Sequence, residues 1–487
     1  MQRHLGRLFK GTVIYGIGNV LNQLLNVLLL PLFTHYLSPK DYGILSVFNF
    51  FSVLMNAIFL LGFGTSIGIL YYNNSDYTQK NRVIWNSFFI LLLSSFIMII
   101  LGIIFIKPFN QLLLQSNDYA FYYILILIST AASILILPFM LKLQFEEKQS
   151  TYVIITIVNT LCSIGLAIAL IVFMKRGLAG RIEAMAISSI IAFLIWFYFG
   201  IKNLSYKIEM TTIRNLIKYG IPMMPSYIFL YILGQGNIFY LEKYTNLEIL
   251  GLYNVGYGFA CAILLVINAI TTAWFPFMLS FVDKQDEAKV LFGKITTYYF
   301  FIVGFISLFF FSFAQPVVYL FTQKAFHGSY IIVGLIAASQ VLVGLFSFLL
   351  PPLYFIKKVN HIPLIQMFAS IVYIILGYHF ISRLGLIGSG FAIITGYLAM
   401  NIITYLWINL PKDRFLRIQY EWKRIFLTCI GYVSCCVFAL FPKTSNIWIE
   451  FCINISAQAL IAIYFYKLLA PEEKAFILNP HKWKNIF

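Results

Sequence analysis

The chain of 487 residues is 61% hydrophobic and only 10% charged, with a mean hydropathy of +0.87. A soluble domain carries about 25% charged residues, so this chain has too few polar residues to cover soluble domains, and the composition predicts an integral membrane protein. The net charge of +17 does not indicate a nucleic-acid binder, because Lys and Arg stand singly or in small groups between long apolar runs.

Fourteen apolar segments are long enough to cross a membrane as helices, which takes about 20 residues each. With the N-terminus in the cytoplasm, 25 of the 34 Lys and Arg residues fall in cytoplasmic segments, as the positive-inside rule expects. A miscounted helix would assign every later loop to the wrong side of the membrane and would reduce the excess of Lys and Arg on the cytoplasmic side. We therefore predict an all-α integral membrane fold with about 14 transmembrane helices and both termini cytoplasmic. The segments lie at 11–36, 43–72, 83–106, 119–141, 151–174, 182–201, 216–241, 249–281, 293–314, 328–355, 363–382, 384–410, 425–441 and 447–469.

The first segment carries a row of uncharged polar side chains. Asn19, Asn22, Gln23 and Asn26 stand at i, i+3, i+4 and i+7, so they share one face of a helix. Two roles fit this stripe: hydrogen bonds to neighbouring helices, or the wall of a water-filled cavity in which amides bind sugar hydroxyls. We take the four as candidates for a substrate cavity. Lys10, at the cytoplasmic start of the helix, is a candidate cation for an anionic headgroup.

A weak internal repeat relates the two halves of the chain at an offset of 208 residues. Both copies begin at a cytoplasmic helix start, six helices apart, so the halves would be parallel repeats related by an axis along the membrane normal. We predict six-helix bundles at 1–202 and 203–410, and two extra helices with a cytoplasmic tail at 411–487. The matches pair Leu8, Lys10, Tyr36, Gly43, Val47 and Phe51 with Leu216, Lys218, Tyr244, Gly251, Val255 and Phe259.

The seventh segment holds the second-half counterparts of these features. Pro222 and Pro225 remove backbone hydrogen bonds and predict a kink, as do Pro351 and Pro352 near the end of the tenth segment. The kinks are either structural or hinges for alternating access, and all four prolines are hinge candidates. Further candidates are Gln235 and Asn237 for the cavity wall and Lys218 for the headgroup.

The sequence offers no pattern for a metal, a cofactor or nucleotide hydrolysis. All 17 acidic residues fall in loops or at helix ends, so we find no mid-membrane carboxylate of the kind that relays ions in many transporters. The cysteines and histidines are scattered, and the Gly-rich phosphate-binding loop G-x-x-x-x-G-K-[ST] does not occur. We expect no metal site, no cofactor and no enzymatic activity.

Two motifs resemble those of a known family. The stretch LFKGTVIYGIGNVLNQLLNVLLLPLFTHYLSPKDYGILSVF opens like polysaccharide-biosynthesis exporters, whose first helix ends in a Leu-Ser-Pro-acidic-Tyr/Phe-Gly turn, here residues 37–43. The segments Tyr219-Gly220-Ile221-Pro222 and Gly251-Leu252-Tyr253 are similar to the family's seventh and eighth helices. The chain thus resembles the lipid-linked oligosaccharide flippases of the multidrug/oligosaccharidyl-lipid/polysaccharide exporter superfamily. Where many relatives carry an Asp-Arg pair, this sequence has Asn237-Ile238.

The resemblance implies a function at the bacterial cytoplasmic (inner) membrane. Its members move an undecaprenyl-pyrophosphate-linked repeat unit of O-antigen, capsule or exopolysaccharide from the cytoplasmic to the outer leaflet. The expected partners are this glycan lipid, membrane lipid and a polysaccharide polymerase, and no nucleic acid. Two alternatives stay open: a multidrug or metabolite cation antiporter of the same superfamily, and a membrane polysaccharide polymerase or ligase.

Overall fold

The computed structural model describes residues 29–74, 76–108, 118–202, 204–356, 358–410, 416–439, 447–469, 471, 473 and 474. These residues form helices and connecting turns, with no strand among them. We number the helices α1 (29–36), α2 (Pro39–Phe59), α3 (Phe63–Asn73), α4 (Tyr77–Ile104), α5 (Ala120–Phe145), α6 (Gln149–Ile168), α7 (Gly177–Gly200), α8 (Met210–Gly220), α9 (Met224–Gln235), α10 (Asn237–Tyr244), α11 (Leu247–Ala260), α12 (Ile263–Leu279), α13 (Gln285–Ser312), α14 (Ala314–Phe321), α15 (Tyr330–Leu349), α16 (Pro351–Phe355), α17 (His361–Asn409), α18 (Trp422–Ala439) and α19 (Ile447–Leu468).

The structure confirms the all-α membrane fold but not the exact count of 14 spans. Within the described residues, 10 helical stretches are long and apolar enough to cross a membrane, or 11 if α11 and α12, bent by 48°, form one span. Every predicted segment from the second onward coincides with helix. The eleventh and twelfth predicted segments both fall in α17, which is two helices separated by a kink at Gly385, with φ of 53° and ψ of −124°. Most of the first segment lies outside the described residues.

The Leu-Ser-Pro-x-Asp turn of the family motif is a helix start. Ser38 is the N-cap of α2 and accepts a hydrogen bond from the Asp41 amide at 3.2 Å, while the Asp41 carboxylate accepts one from the Ser38 amide at 2.9 Å. This is a capping box, which satisfies two amides that no helical carbonyl reaches. Pro39 follows at the first helical position, where its missing N–H costs nothing. The motif therefore fixes where α2 begins.

The helices form two compact units, which we describe separately. The first comprises Met1–Gly258, Thr322–Phe326 and Asn360–Met400, and the second comprises Phe259–Phe321, His327–Val359 and Asn401–Phe487. The predicted boundaries at 202/203 and 410/411 were placed by the sequence repeat, whereas the two units above are defined by how compactly the chain packs. The boundaries therefore stay a prediction.

The core of the first unit lies where α3, α4, α5 and α7 pack together. Phe63, Ile84, Leu91, Ile134 and Phe139 are completely buried there. In the second unit, α13, α18 and α19 enclose a smaller apolar cluster. A polar network closes one end of that cluster, since the Arg424 guanidinium contacts the Glu421 and Glu473 carboxylates at 2.8 and 2.6 Å and the Tyr298 hydroxyl donates to Glu473.

One lysine inside the first unit has a structural role. Lys142 is 2% exposed near the end of α5, and its ammonium donates to the carbonyl oxygens of Gly200, at 3.0 Å, and Lys202. These carbonyls end α7, where helical carbonyls lack amide partners and the helix dipole favours a cation. Lys142 thus caps α7 from a neighbouring helix.

We expect Lys142→Met to lower the free energy of unfolding by about 1–3 kcal/mol, because it keeps the apolar stem but leaves the two carbonyls without their donor. Titration of the detergent-solubilised protein with dodecyl sulfate would measure the change. Lys294→Met is the matched control, since Lys294 is exposed on α13 and surface substitutions usually change stability by less than about 0.5 kcal/mol. Equal stability of the two variants would show that the cap contributes nothing.

Candidate functional site

Five of the predicted site residues, Lys10, Asn19, Asn22, Gln23 and Asn26, lie outside the described residues. Their roles at the cavity wall and at the headgroup stay predictions. The remaining candidates all belong to described helices, and three of them, Lys218, Pro222 and Pro225, lie at or next to a contact between the two copies of the repeat.

The start of α2 crosses the start of α11 at very short range. A Cβ added at Gly43 would overlap the backbone carbonyl of Leu247, and one added at Gly251 would overlap that of Pro39. Beyond the glycines, the Asn254 amide donates a hydrogen bond to the Ser46 hydroxyl. We call this contact the outer crossing, following the predicted orientation. Only glycine lets the two backbones approach this closely.

The residues of the outer crossing are equivalent positions of the repeat. Gly43 and Gly251 are 208 residues apart, and so are Ser46 and Asn254. Each glycine contacts the first helical residue of the other copy, so the contact is reciprocal, as between two subunits related by a two-fold axis. The geometry thus supports the predicted repeat and places its local axis between Ser46 and Asn254.

A second close contact joins the break between α2 and α3 to the end of α8. Gly62 has φ of +69°, which glycine adopts without strain, and an added Cβ would overlap the Gly220 carbonyl. A Cβ at Gly220 would in turn approach the Leu61 carbonyl. One turn further, the Thr65 and Tyr227 hydroxyls lie 3.1 Å apart. We call this the inner crossing. All residues of both crossings belong to the first compact unit.

The inner crossing coincides with the proline-containing break of the seventh predicted segment. Pro222 lies in the short 3-10 turn Ile221–Met223 between α8 and α9, and Pro225 is in the first turn of α9. The predicted interruption is therefore present. Pro351 and Pro352 are both buried and begin α16, directly after α15 ends. That these breaks act as hinges stays a prediction.

Lys218 lies on the exposed face of α8, one turn before the inner crossing. Arg214, four residues earlier, is also exposed, so two cations follow one another on the same helical face. Leu216 and Gly220 point the opposite way and are buried. The arrangement leaves the two positive charges accessible to an anionic group.

Asn237 is completely buried at the start of α10. Its amide nitrogen donates to the Ser389 carbonyl at 2.8 Å and to the Tyr253 hydroxyl at 3.3 Å, and its oxygen accepts from the Tyr373 hydroxyl at 2.7 Å. In this conformation Asn237 holds α10, α11 and α17 together. Gln235, two residues earlier, is half-buried. Contact of either amide with substrate stays a prediction.

Helix α2 also contacts the second copy of the repeat between the two crossings. α9 lies along α2 between these points, where the Tyr231 hydroxyl donates to the Phe50 carbonyl at 3.0 Å and the two rings stack. Each crossing rests on backbone-to-backbone contact with few hydrogen bonds. Such contacts can separate without leaving buried charges unpaired.

Comparison with known proteins identifies the family. The polysaccharide biosynthesis protein family matches residues 8–282, more than half of the chain. The chain belongs to this family. The resemblance found in the sequence is thereby confirmed.

This polysaccharide biosynthesis protein is also similar to one curated relative and to two proteins of solved structure. Lsg locus putative protein 1 of Haemophilus influenzae is 24% identical over 296 residues, which are 58% of this chain and 68% of the relative. The lipid II flippase MurJ, in an inward closed conformation, superposes with a TM-score of 0.70 at 16% identity, covering 93% of this chain and 99% of MurJ. An inward-facing multidrug resistance MATE family transporter of the MOP superfamily gives 0.62 at 16% identity, covering 79% and 93%. These likenesses show a shared fold, that of a multi-pass membrane protein.

Sequence reasoning missed most residues of the two crossings in this family member. Gly43 and Gly251 stood in the repeat, but nothing indicated that they contact each other's copy. Ser46 and Asn254 are equivalent positions with different residues, so a search for identities passes over them. Gly62 and Thr65 gave no signal at all, because their role depends on which helix lies opposite.

Proposed function

We propose that this protein flips an undecaprenyl-pyrophosphate-linked oligosaccharide repeat unit from the cytoplasmic to the outer leaflet by alternating access. The observation that carries the proposal is the pair of crossings, at which one copy of the repeat contacts the other at the start of α2 and at the break between α2 and α3. Opening one crossing at a time would expose a polar path to one side of the membrane and then to the other. Membership in the polysaccharide biosynthesis family supports a glycan as the cargo.

A lipid with a polar headgroup needs a polar path across the membrane, and the proposed cavity would supply one. A charged, hydroxylated headgroup costs many kcal/mol to bury in hydrocarbon, whereas its polyprenyl tail is soluble there. A cavity lined by uncharged hydrogen-bonding groups lowers that barrier without breaking a covalent bond. In our proposal Asn19, Asn22, Gln23 and Asn26 line this cavity, and Arg214 and Lys218 contact the pyrophosphate at its cytoplasmic mouth. The first structure named above is a lipid II flippase, which also handles a lipid.

Two further parts of the proposal concern the surroundings. The chain lies in the bacterial cytoplasmic membrane with both termini in the cytoplasm, as the distribution of Lys and Arg predicts. A polysaccharide polymerase would receive the repeat unit in the outer leaflet. The second candidate function is a cation antiporter, which the MATE-like fold favours.

The test is a strain that lacks the gene. We expect mass spectrometry of its polyprenyl-linked glycans to show a completed, unpolymerised repeat unit accumulating, with loss of the surface polysaccharide, because the unit cannot leave the inner leaflet. The wild-type gene should restore export. The double variants Asn22→Leu/Asn26→Leu and Arg214→Gln/Lys218→Gln should insert into the membrane and fail to restore it. An unchanged lipid pool with an altered sensitivity to cationic drugs would support the antiporter instead.

A further inference from the structure

The first compact unit buries one carboxylic acid that the proposed transport path does not use. Glu242 lies on α10, beyond the apolar span Met210–Gln235, and is 7% exposed. Neighbouring Leu241 is completely buried, whereas Lys243 is exposed. Glu242 therefore lies on the packed face of α10, although the next position along the helix is exposed.

No charged partner compensates for this burial in the described part of the chain. The ion pairs found there join other residues, and burial alone raises the pKa of the Glu242 carboxyl from its ordinary 4.5 to about 7. Helix α10 packs on α2, α11 and α17. The titratable groups that these elements bring to this end of the unit are Lys40, Asp41, Lys243, Glu248, His379 and Arg383, with the tyrosines Tyr42, Tyr240, Tyr244 and Tyr378.

Glu242 lies on the short helix that directly precedes the outer crossing, and this helix also packs on α2. A turn of two residues, Thr245 and Asn246, joins α10 to α11, whose first residue, Leu247, contacts Gly43. When α11 moves away from α2, α10 must follow, because the turn is too short to absorb the displacement. We take this movement to admit water to the packed face of α10.

We propose that Glu242 is a proton-binding site, which holds a proton while the outer crossing is closed and releases it when the crossing opens. An ionised carboxylate is costly to bury without a partner, so the closed conformation selects the neutral acid. In the open conformation water solvates the carboxylate, and the proton leaves. Opening of the outer side is thereby linked to proton release. The proposal depends on the proposed function only in taking the outer crossing as a moving part.

The direction of the pH effect follows from linkage. The closed conformation binds the proton more tightly than the open one, so its stabilisation is complete below about pH 4.5, where both conformations are protonated. This stabilisation falls as the pH rises from about 4.5 to about 7, and it stays low above that range. Acidic conditions therefore favour the closed outer crossing.

The experiment measures the conformation without transport. The full chain, with its six cysteines replaced by alanine, carries spin labels at Met174→Cys and Leu384→Cys, both more than half exposed and both on the predicted outer side. In lipid nanodiscs, the distance between the labels is measured by pulsed electron resonance between pH 4.5 and 8. We expect the ratio of short to long distances to fall about tenfold or more over this range, since each pH unit of linkage is worth up to tenfold.

Glu242→Gln should keep the short distance at every pH, because its amide is neutral and nearly isosteric with the acid. Glu287→Gln, at an exposed carboxylate of α13, is the control and should titrate like the parent. Should Glu242→Gln fold poorly, Glu242→Met supplies a second neutral side chain. A Glu242→Gln or Glu242→Met protein that titrates like the parent, or a parent that does not respond to pH, would overturn the proposal. Neither result depends on whether the cargo is a glycan.

Discussion

Gly43→Ala and Gly251→Ala are each expected to reduce export of the surface polysaccharide about 5- to 150-fold. Each substitution adds one methyl group, which would overlap a backbone carbonyl of the other repeat copy. A carbonyl in a helix cannot rotate away, so the helices must separate, and overpacking of this kind costs about 1–3 kcal/mol. An energy of that size shifts a conformational equilibrium by the stated factor. Complementation of the deletion strain, read by staining of surface glycan, measures the loss.

The controls for this prediction come from the same chain. Gly165 in α6 and Gly304 in α13 have no atom within 4 Å of an added Cβ. Alanine at either position should leave export unchanged and stabilise its helix slightly, by about 0.5–1 kcal/mol. The double variant Gly43→Ala/Gly251→Ala should lose less than the sum of the single effects, because both act on one contact. Full export by the single variants would show that the outer crossing need not close.

A disulfide across the outer crossing is expected to stop export completely and reversibly. Ser46→Cys and Asn254→Cys replace two side chains that already contact each other, and a disulfide forms when the Cβ atoms lie about 3.5–4.5 Å apart. Oxidation would then hold the outer end closed, so the cavity could never open to the outer leaflet. The assay is export in a strain carrying the otherwise cysteine-free variant, before and after oxidation, and again after reduction with dithiothreitol.

The matched control pair joins two helices of one repeat copy. The Ser52 and Thr130 hydroxyls lie 2.7 Å apart, between α2 and α5, and both residues belong to the first half of the chain. A Ser52→Cys/Thr130→Cys disulfide should leave export unchanged, because alternating access moves the halves as bodies. Export that continues through a fully cross-linked Ser46→Cys/Asn254→Cys protein would contradict the proposed mechanism.

The parts of the fold that were predictable from the sequence are those that depend on local or periodic chemistry. Apolar length located every described span, and Ser38-Pro39-x-Asp41 marked the start of α2 through its capping box. The kink at Pro222 followed from its missing amide. These features need no knowledge of the neighbouring helix.

The remaining features depend on which helices lie together. Nothing in the sequence distinguishes Lys142 from the other cations near helix ends, yet it caps a helix that ends 58 residues later. Asn237 was expected at a cavity wall, but its donor and acceptor atoms are satisfied by α11 and α17 in this conformation. Glu242 is one of the acidic residues that the sequence places at a helix end, and only the structure shows that the packing of α10 buries it. A single sequence does not show which helices pack against each other.

The reciprocal form of the outer crossing also bears on how the chain arose. In a two-fold contact each copy contributes both surfaces: Gly43 receives Leu247, and Gly251 receives Pro39. Two identical polypeptides pair in this way, and a half-length ancestor that dimerised through this surface would already have possessed the closed outer end. Gene duplication and fusion would then have joined two subunits without requiring a new interface. In the fused chain, a change in either glycine disturbs the same contact.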